Sequence, residues 1–356
     1  MFDFKAKPTN GFLRLGELTT ARGKVATPFF MPVGTLGTVK TLNSDEIRSV
    51  GAQVLLANAY HLHMRPGEHV IKKAGGIQKY ANWDGPMLTD SGGFQVYSLS
   101  KIRKITEEGV TFTEPRSGDK ILLTPEKSIQ IQFDLGADII MAFDDVVGLS
   151  KEERYREEEA LHRTHRWLVR SVQEYKKLSK KHENPPALFG IVQGGLSKEL
   201  RKASLEFVQS QDVSGIAIGG LSVGEPREEM HAMLKFLAPL YDPKRLHYLM
   251  GVGHPIDIRW AIKYGIDMFD CVLPTRIGRH GHAWIKGDRQ INLRALAYKD
   301  DFKVIEKGCR CPACLAGYSR AFIRHMLTTS ETLAGRLISL HNLHYIDALI
   351  KEVTKV

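Results

Sequence analysis

Ala187-Leu188-Phe189-Gly190-Ile191-Val192 is an apolar run that stops on Gln193-Gly194-Gly195. The charge-rich stretch Ser197–Ser210 follows, and then Ile216-Ala217-Ile218 stops on Gly219-Gly220. Continuous apolar runs of this length suit strands buried on both faces, and the amphipathic stretch between them reads as a helix. Outward from this unit the pattern recurs. Further runs lie at Phe29–Val33, Val54–Ala57, Met87–Thr89, Ile139–Ala142, Leu246–Met250 and Met268–Phe269. Helical segments at Ser44–Val50, Pro125–Leu135, Lys151–Lys181, Pro226–Ala238 and Pro255–Tyr264 separate most of them. Strand and helix in alternation argue for a parallel sheet. About eight such strands predict an α/β fold, a closed (β/α)₈ TIM barrel, although a doubly wound sheet gives a similar pattern.

Two segments interrupt the alternation. Ile105–Leu123 has the look of a hairpin inserted before a helix, and Leu293 onward is mostly helical. Neither an internal repeat nor a low-complexity linker is visible. The chain therefore reads as one catalytic domain over residues 1–356, with an appended metal-binding subdomain at about 293–345.

That subdomain contains Cys309-Arg310-Cys311-Pro312-Ala313-Cys314, with His341 after 26 intervening residues. Thiolates and imidazole are preferred zinc ligands, and a structural site takes four in tetrahedral geometry. Cys309, Cys311, Cys314 and His341 are thus the expected ligands of a structural Zn²⁺ ion, with His325 and His344 as rivals for the fourth position. A chance cluster of reduced thiols is the plainer alternative. With these cysteines assigned to metal, Cys271 is left alone and an internal disulfide is excluded, which fits a reducing cytoplasm.

The 43% hydrophobic and 25% charged content is that of a globular protein. Met1 to Asn10 has no apolar signal region and no stretch of eighteen apolar residues occurs, so neither secretion nor membrane spanning is expected. The formal charge is +10, and Arg276 to Val356 holds 14 Lys and Arg against 7 Asp and Glu. A basic quarter suits a polyanionic partner, nucleic acid foremost, and composition leaves a merely solvated surface as an equal alternative.

In a barrel, chemistry gathers at the carboxyl ends of the strands. Here those ends carry Asp90, Asp144, Gln193, Gly220, Gly251 and Asp270. Aspartates after strands also cap helices, and double glycines are often only turns. Their placement at successive strand ends favours a site, with Asp90 and Asp270 across the mouth from one another. Two carboxylates facing a sugar are the apparatus of retaining glycosyl transfer.

Taken together, several strings resemble the tRNA-guanine transglycosylases, specifically the queuine tRNA-ribosyltransferase family of bacteria and eukaryotes. They are Thr89-Asp90-Ser91-Gly92-Gly93-Phe94-Gln95, Val192-Gln193-Gly194-Gly195, Ile218-Gly219-Gly220-Leu221, Tyr248-Leu249-Met250-Gly251-Val252-Gly253 and Met268-Phe269-Asp270-Cys271-Val272-Leu273-Pro274-Thr275-Arg276. The cysteine and histidine set completes the match, which runs to about Tyr345. The resemblance implies a zinc-containing barrel working as a homodimer, which exchanges the wobble guanine of GUN anticodons (Asn, Asp, His and Tyr tRNAs) for a 7-deazaguanine. By position, Asp270 is the implied nucleophile on ribose C1′, giving a covalent tRNA–aspartyl intermediate, and Asp90 the general acid and base. Phe94 would stack on the base within the Ser91, Gly92, Gly93 loop. Asp144, Gln193, Gly220 and Leu221 would line its hydrogen-bonding edge, and Met250 would pack on its other face. Gly251, Val252, Gly253, His254, Pro255, Ile256 and Asp257, with Thr275, Arg276, Ile277, Gly278 and Arg279, would hold the anticodon loop.

Departures bear on the incoming base. Val146 stands where bacterial members commonly carry cysteine, and Ser222 is likewise of eukaryotic type. Val223 is the bulkier residue of bacterial members, where queuine-using ones have glycine. Steric reasoning favours 7-aminomethyl-7-deazaguanine over queuine. The cysteine cluster also has one more residue before Tyr318 than the family pattern. A silent tRNA-binding subunit would lack the two aspartates, an archaeosine-type enzyme usually carries further RNA-binding domains, and a barrel zinc hydrolase would need rim histidines, for which His61 and His63 are weak candidates.

Overall fold

The structure, a computed structural model, describes residues 2–7, 9, 11–93, 103–113, 118–148 and 155–355. Eight strands form one sheet: β1 (Phe29–Pro32), β2 (Leu55–Ala57), β3 (Met87–Thr89), β4 (Ile139–Met141), β5 (Ala187–Val192), β6 (Gly215–Ile218), β7 (Leu246–Leu249) and β8 (Met268–Cys271). Every neighbouring pair is parallel, and β8 returns to β1 with Phe269 opposite Phe30. A Val33–Leu56 bridge and a hydrogen bond from Gly34 N–H to the Leu56 carbonyl (2.7 Å) join β1 to β2. The sheet is therefore a closed barrel rather than an open doubly wound sheet.

Alternation along each strand sorts the core into two layers, as the pleat requires. Met31, Leu56, Leu88, Met141, Phe189, Ile191 and Met268 fill the interior. Phe30, Leu55, Ile140, Leu188, Ile216 and Phe269 face the surrounding helices. Local signals set the helix limits. Thr124 caps Pro125–Leu135 by accepting from Lys127 N–H, and Gly136 ends it in the left-handed region. Ser197 caps Lys198–Ser210 in the same way.

An antiparallel sheet of Asp3–Lys7, Leu15–Thr20 and Gly23–Thr27 was not anticipated from sequence. It sends Leu18 and Val25 into the barrel interior. Arg14 pairs with Asp267 (3.5 Å) and Arg22 with Asp138 (3.3 Å), and these aspartates immediately precede β8 and β4. The sheet thus plugs the end where the strands begin and leaves the opposite mouth for chemistry. The expected hairpin at Ile105–Leu123 is instead part of a three-stranded sheet, Arg103–Ile105, Val110–Thr113 and Lys120–Leu123. Three short helices, Ala59–Met64, Glu68–Lys73 and Ile77–Tyr80, connect β2 to β3. They are too short for a helical period to be read.

Beyond β8 come the helix Leu273–Arg279, a hairpin of His282–Ile285 and Arg289–Asn292, and then the cysteine segment with two further helices, Arg320–Thr328 and Thr332–Val353. Thr332–Val353 packs against β1 and against the helix Pro255–Lys263, so it doubles as part of the barrel's outer wall. Among the described residues no helix is long and apolar enough to cross a membrane.

Large and small residues interlock inside the barrel. Gly215 lies opposite Phe189, and a Cβ there would sit 2.3 Å from the ring. We expect Gly215→Val to destabilise the protein by about 1–3 kcal/mol or more, as overpacking does. A chemical-denaturation midpoint equal to wild type would contradict this packing.

Candidate active site and metal centre

Asp90 follows β3 directly, and its N–H bonds the Ala57 carbonyl (3.1 Å), which fixes it beside the end of β2. Its carboxylate accepts the Ala59 N–H (3.0 Å) and the Asn58 side-chain amide. Asp90 thus accepts the first N–H of Ala59–Met64, whose N-cap is Asn58, and sits at the carboxyl end of β3. Burial pushes Asp90 up to about 7, and the charge of Asp270 adds to the rise. The two acids are therefore electrostatic neighbours.

Asp270 lies within β8. Its Oδ1 accepts the Tyr248 hydroxyl (2.6 Å) and the Gly251 N–H (2.7 Å). Burial raises its pKa above the ordinary carboxylate range, and both donors pull it back. Asp270 does not cap the following helix, whose N-cap is Val272 without a side-chain bond.

A second acidic centre is built from β4 and β5. Asp144 accepts from Gln193 Nε2 (2.7 Å) and from the Ser91 hydroxyl (3.3 Å). Burial pushes Asp144 up to about 7, with the charge of Asp145 adding. Gly93 crosses so close that a Cβ would lie 2.1 Å from Asp144 Oδ1, so this loop position has no room for a side chain. Asp145 points the other way. It is buried and held by Arg156 (2.6 Å to each oxygen) and Arg163 (2.6 Å).

Leu221 is buried beside Gly220, Val146 is buried, and Met250 is half-buried. Ser222 adopts φ +59°, and Glu225 accepts the N–H groups of Ser222 and Val223. Phe94, the expected stacking residue, lies outside the described residues.

The twelve expected anticodon-loop residues divide. Gly251, Ile256 and Arg276 are exposed, and His254, Ile277 and Arg279 are half-buried. Among the described residues Arg276 and Arg279 form no ion pair, and the proximity of Arg276 helps to lower the pKa of Arg279, after burial. Val252, Gly253, Pro255, Thr275 and Gly278 are buried. Asp257 is also buried and is bonded to Arg227 (2.7 Å) and His231 (2.8 Å), which gives it a structural occupation. Sequence reasoning missed Asn58, Tyr248, Asp145 and Ser204, whose hydroxyl accepts the Gln193 N–H (3.1 Å). Tyr248 stood in a quoted string, but a tyrosine within a strand carries no sign that it will reach the next strand's carboxylate.

Cys309, Cys311, Cys314 and His341 converge, with all ligand atoms within 4.8 Å of one another. His341 Nδ1 lies 3.6, 3.5 and 3.6 Å from the three sulfurs in that order. His341 Nε2 sits 2.7 Å from the Trp284 carbonyl, and donating there leaves Nδ1 free as the ligand. His325 is exposed and neither it nor His344 joins the cluster. The next residue, Asn342, donates to the carbonyls of Pro274 (2.9 Å) and His282 (3.0 Å) and accepts from Trp284 N–H (3.0 Å). Through it the metal centre is tied to the helix that leaves Asp270. His63 bonds Glu68 (2.6 Å), and no rim histidine pair forms a metal site among the described residues.

A barrel that gathers partly desolvated, interacting carboxylates at its strand ends is suited to acid–base and group-transfer enzymes. Within that class the chain belongs to the queuine tRNA-ribosyltransferase family, whose sequence profile matches residues 10–355. It is 49% identical over 356 residues to the queuine tRNA-ribosyltransferase of Synechococcus elongatus, covering 99% of this chain and 89% of that protein. The Prochlorococcus marinus enzyme of the same name is 47% identical over 348 residues, covering 97% and 91%. That of Actinobacillus pleuropneumoniae is 46% identical over 354 residues, covering 98% and 91%. The chain is accordingly a pentosyltransferase.

Metal removal tests the centre. A chelator should lower the melting temperature and expose Cys309, Cys311 and Cys314 to alkylation. Unchanged melting with the metal gone would count against a folding role.

Proposed function

We propose that this protein exchanges the wobble guanine of GUN-anticodon tRNAs for 7-aminomethyl-7-deazaguanine through a covalent tRNA–aspartyl intermediate. The observation that carries this reading is the pair Asp90 and Asp270, half-buried at one mouth and coupled electrostatically. Asp270 attacks ribose C1′ as the bond to guanine N9 breaks, and Asp90 gives its proton to the departing base. Asp90 then takes the proton from the incoming base, whose nitrogen displaces Asp270 and restores the N-glycoside. One N-glycoside replaces another, so no nucleotide cofactor is required. An acid poised near 7 suits both halves of that task.

Asp144 and Gln193 offer acceptor and amide groups to the base edge, Gly220 and Leu221 their N–H groups, and Met250 an apolar face. Phe94 is assigned to stacking, as a flipped base requires. Arg276 and Arg279, which form no ion pair among the described residues, would meet phosphates of the anticodon loop of Asn, Asp, His and Tyr tRNAs. Val223 narrows the room for queuine's ring and supports the smaller base. We read residues 1–356 as one catalytic unit that works as a homodimer in the cytoplasm.

The Cys₃His cluster fits Zn²⁺. Zinc with bonds of about 2.3 Å to sulfur and about 2.0 Å to nitrogen sets those atoms roughly 3.5 Å apart in a tetrahedron, and the sulfur–Nδ1 separations are 3.5 to 3.6 Å. Bound there, zinc supplies structural cross-linking.

Labelled guanine should enter unmodified tRNA without any nucleotide triphosphate, whereas absence of incorporation with tRNA still bound would shift the reading to a silent subunit. Asp270→Ala should abolish the denaturation-resistant tRNA adduct; its persistence would refute the nucleophile.

The pH dependence follows from the two acids near 7. Asp144 must be ionised to accept the base N–H groups, so base affinity rises with pH through about 7. Asp90 must be protonated to release guanine, so single-turnover adduct formation falls as pH rises through about 7. A flat profile between pH 5.5 and 8.5, roughly 1.5 units either side of that midpoint, would exclude these assignments.

A further inference from the structure

The side chain of Arg201 is fully buried, yet no carboxylate lies within ion-pair distance of it among the described residues. It projects from the helix Lys198–Ser210 into the space between the loops that follow β5 and β6. There it donates to four backbone carbonyls: Gly195 (2.8 Å), Val192 (3.0 Å), Gly219 (2.7 Å) and Gly220 (3.0 Å). The carbonyls of Val192 and Gly195 bracket Gln193, and those of Gly219 and Gly220 belong to the peptides that carry the N–H groups of Gly220 and Leu221.

In a trans peptide the C=O and N–H point in opposite directions. Holding the Gly219 and Gly220 oxygens therefore turns the N–H groups of Gly220 and Leu221 away from the guanidinium. Neither N–H donates to a protein acceptor among the described residues. Leu221 is nonetheless buried, and a buried donor left without a partner costs about 1–3 kcal/mol. Two aligned donors with no acceptor of their own are suited to a ligand's oxygen.

We infer that Arg201 is a positioning residue for base exchange: its planar fork orients the Gly220 and Leu221 N–H groups toward the carbonyl oxygen of the purine and sets Gln193 beside Asp144. This rests on the proposed transglycosylation. The residue acts through the peptides and touches no substrate. Donors fixed in advance lose no orientation energy when charge spreads onto the base oxygen as the C1′–N9 bond breaks. Burial pushes the guanidinium down to about 10, and the charge of Glu157 opposes that shift, so it stays charged at neutral pH. Ser204, one turn further along the same helix, fixes the Gln193 N–H from the other side. A lysine cannot replace the fork, because an ammonium is a point charge without bidentate geometry.

The test measures guanine exchange by the intact protein with tRNA and base varied separately, for Arg201→Lys and Arg201→Ala. Removing an oriented donor of this kind costs on the order of 10²-fold, so we expect kcat/KM for guanine to fall about tenfold to a hundredfold. The KM for tRNA and the melting temperature of Arg201→Lys should stay near wild type, and millimolar ethylguanidinium should partly restore Arg201→Ala. Wild-type exchange by Arg201→Lys overturns the inference, as does parallel loss of tRNA affinity, base affinity and melting temperature without rescue. A wild-type protein with no exchange at all would instead strike at the proposed function itself.

Discussion

Taking a carboxylate out of water disfavours its charged form, and the mouth of this barrel does so repeatedly. Asp90, Asp144 and Asp270 are each raised chiefly by burial, and each is met by fixed donors that partly offset it. The donors are few and specific: Asn58 and Ala59 for Asp90, Ser91 and Gln193 for Asp144, Tyr248 and Gly251 for Asp270. Most come from a neighbouring strand end rather than the aspartate's own. These bonds join adjacent strands, whereas the effect of the Asp270 charge on Asp90 is felt between β8 and β3 and so depends on barrel closure. The same constraint accounts for Asp145, whose buried charge is balanced by Arg156 and Arg163 rather than left to perturb Asp144 further.

The barrel was legible because its strands are buried on both faces, which writes them as uninterrupted apolar runs. Ala187–Val192 and Pro125–Leu135 have in the structure the limits their sequence suggests. The plugging sheet was not legible. Its first strand is mostly exposed, and its apolar contribution to the barrel comes through isolated residues such as Leu18 and Val25. Arg14 and Arg22 are far in sequence from Asp267 and Asp138, so their pairing is visible only in the fold. At the site, residue types with an evident chemical use at strand ends could be picked out, Asp90, Asp144, Gln193 and Asp270 among them. Residues that act by holding others could not. Tyr248 is 22 positions from Asp270 and Gln193 is 49 from Asp144, so only the fold brings them together. Arg201 lies on a helix whose sequence spacing carries no sign that this cation is buried.

Folding energetics and chemistry meet in the segment after β8. Ser339 packs so tightly on Gly278 that a Cβ there would lie 2.8 Å from its hydroxyl oxygen. Gly278 was expected at the anticodon loop, and the structure gives it a packing duty as well. His341 and Asn342, adjacent on one helix, bind the cysteine segment on one side and the chain leaving Asp270 on the other. A bonded path, through Asn342, therefore joins the cysteine cluster to the helix that follows the proposed nucleophile.

The helix Thr332–Val353 is also made after all eight strands have been synthesised, yet it covers β1, the first of them. Without that helix the flank is bare and its apolar outer residues are wet. Closing the barrel wall therefore depends on a segment far along the chain from β1. Chains halted before this helix would display a sticky face to chaperones and proteases.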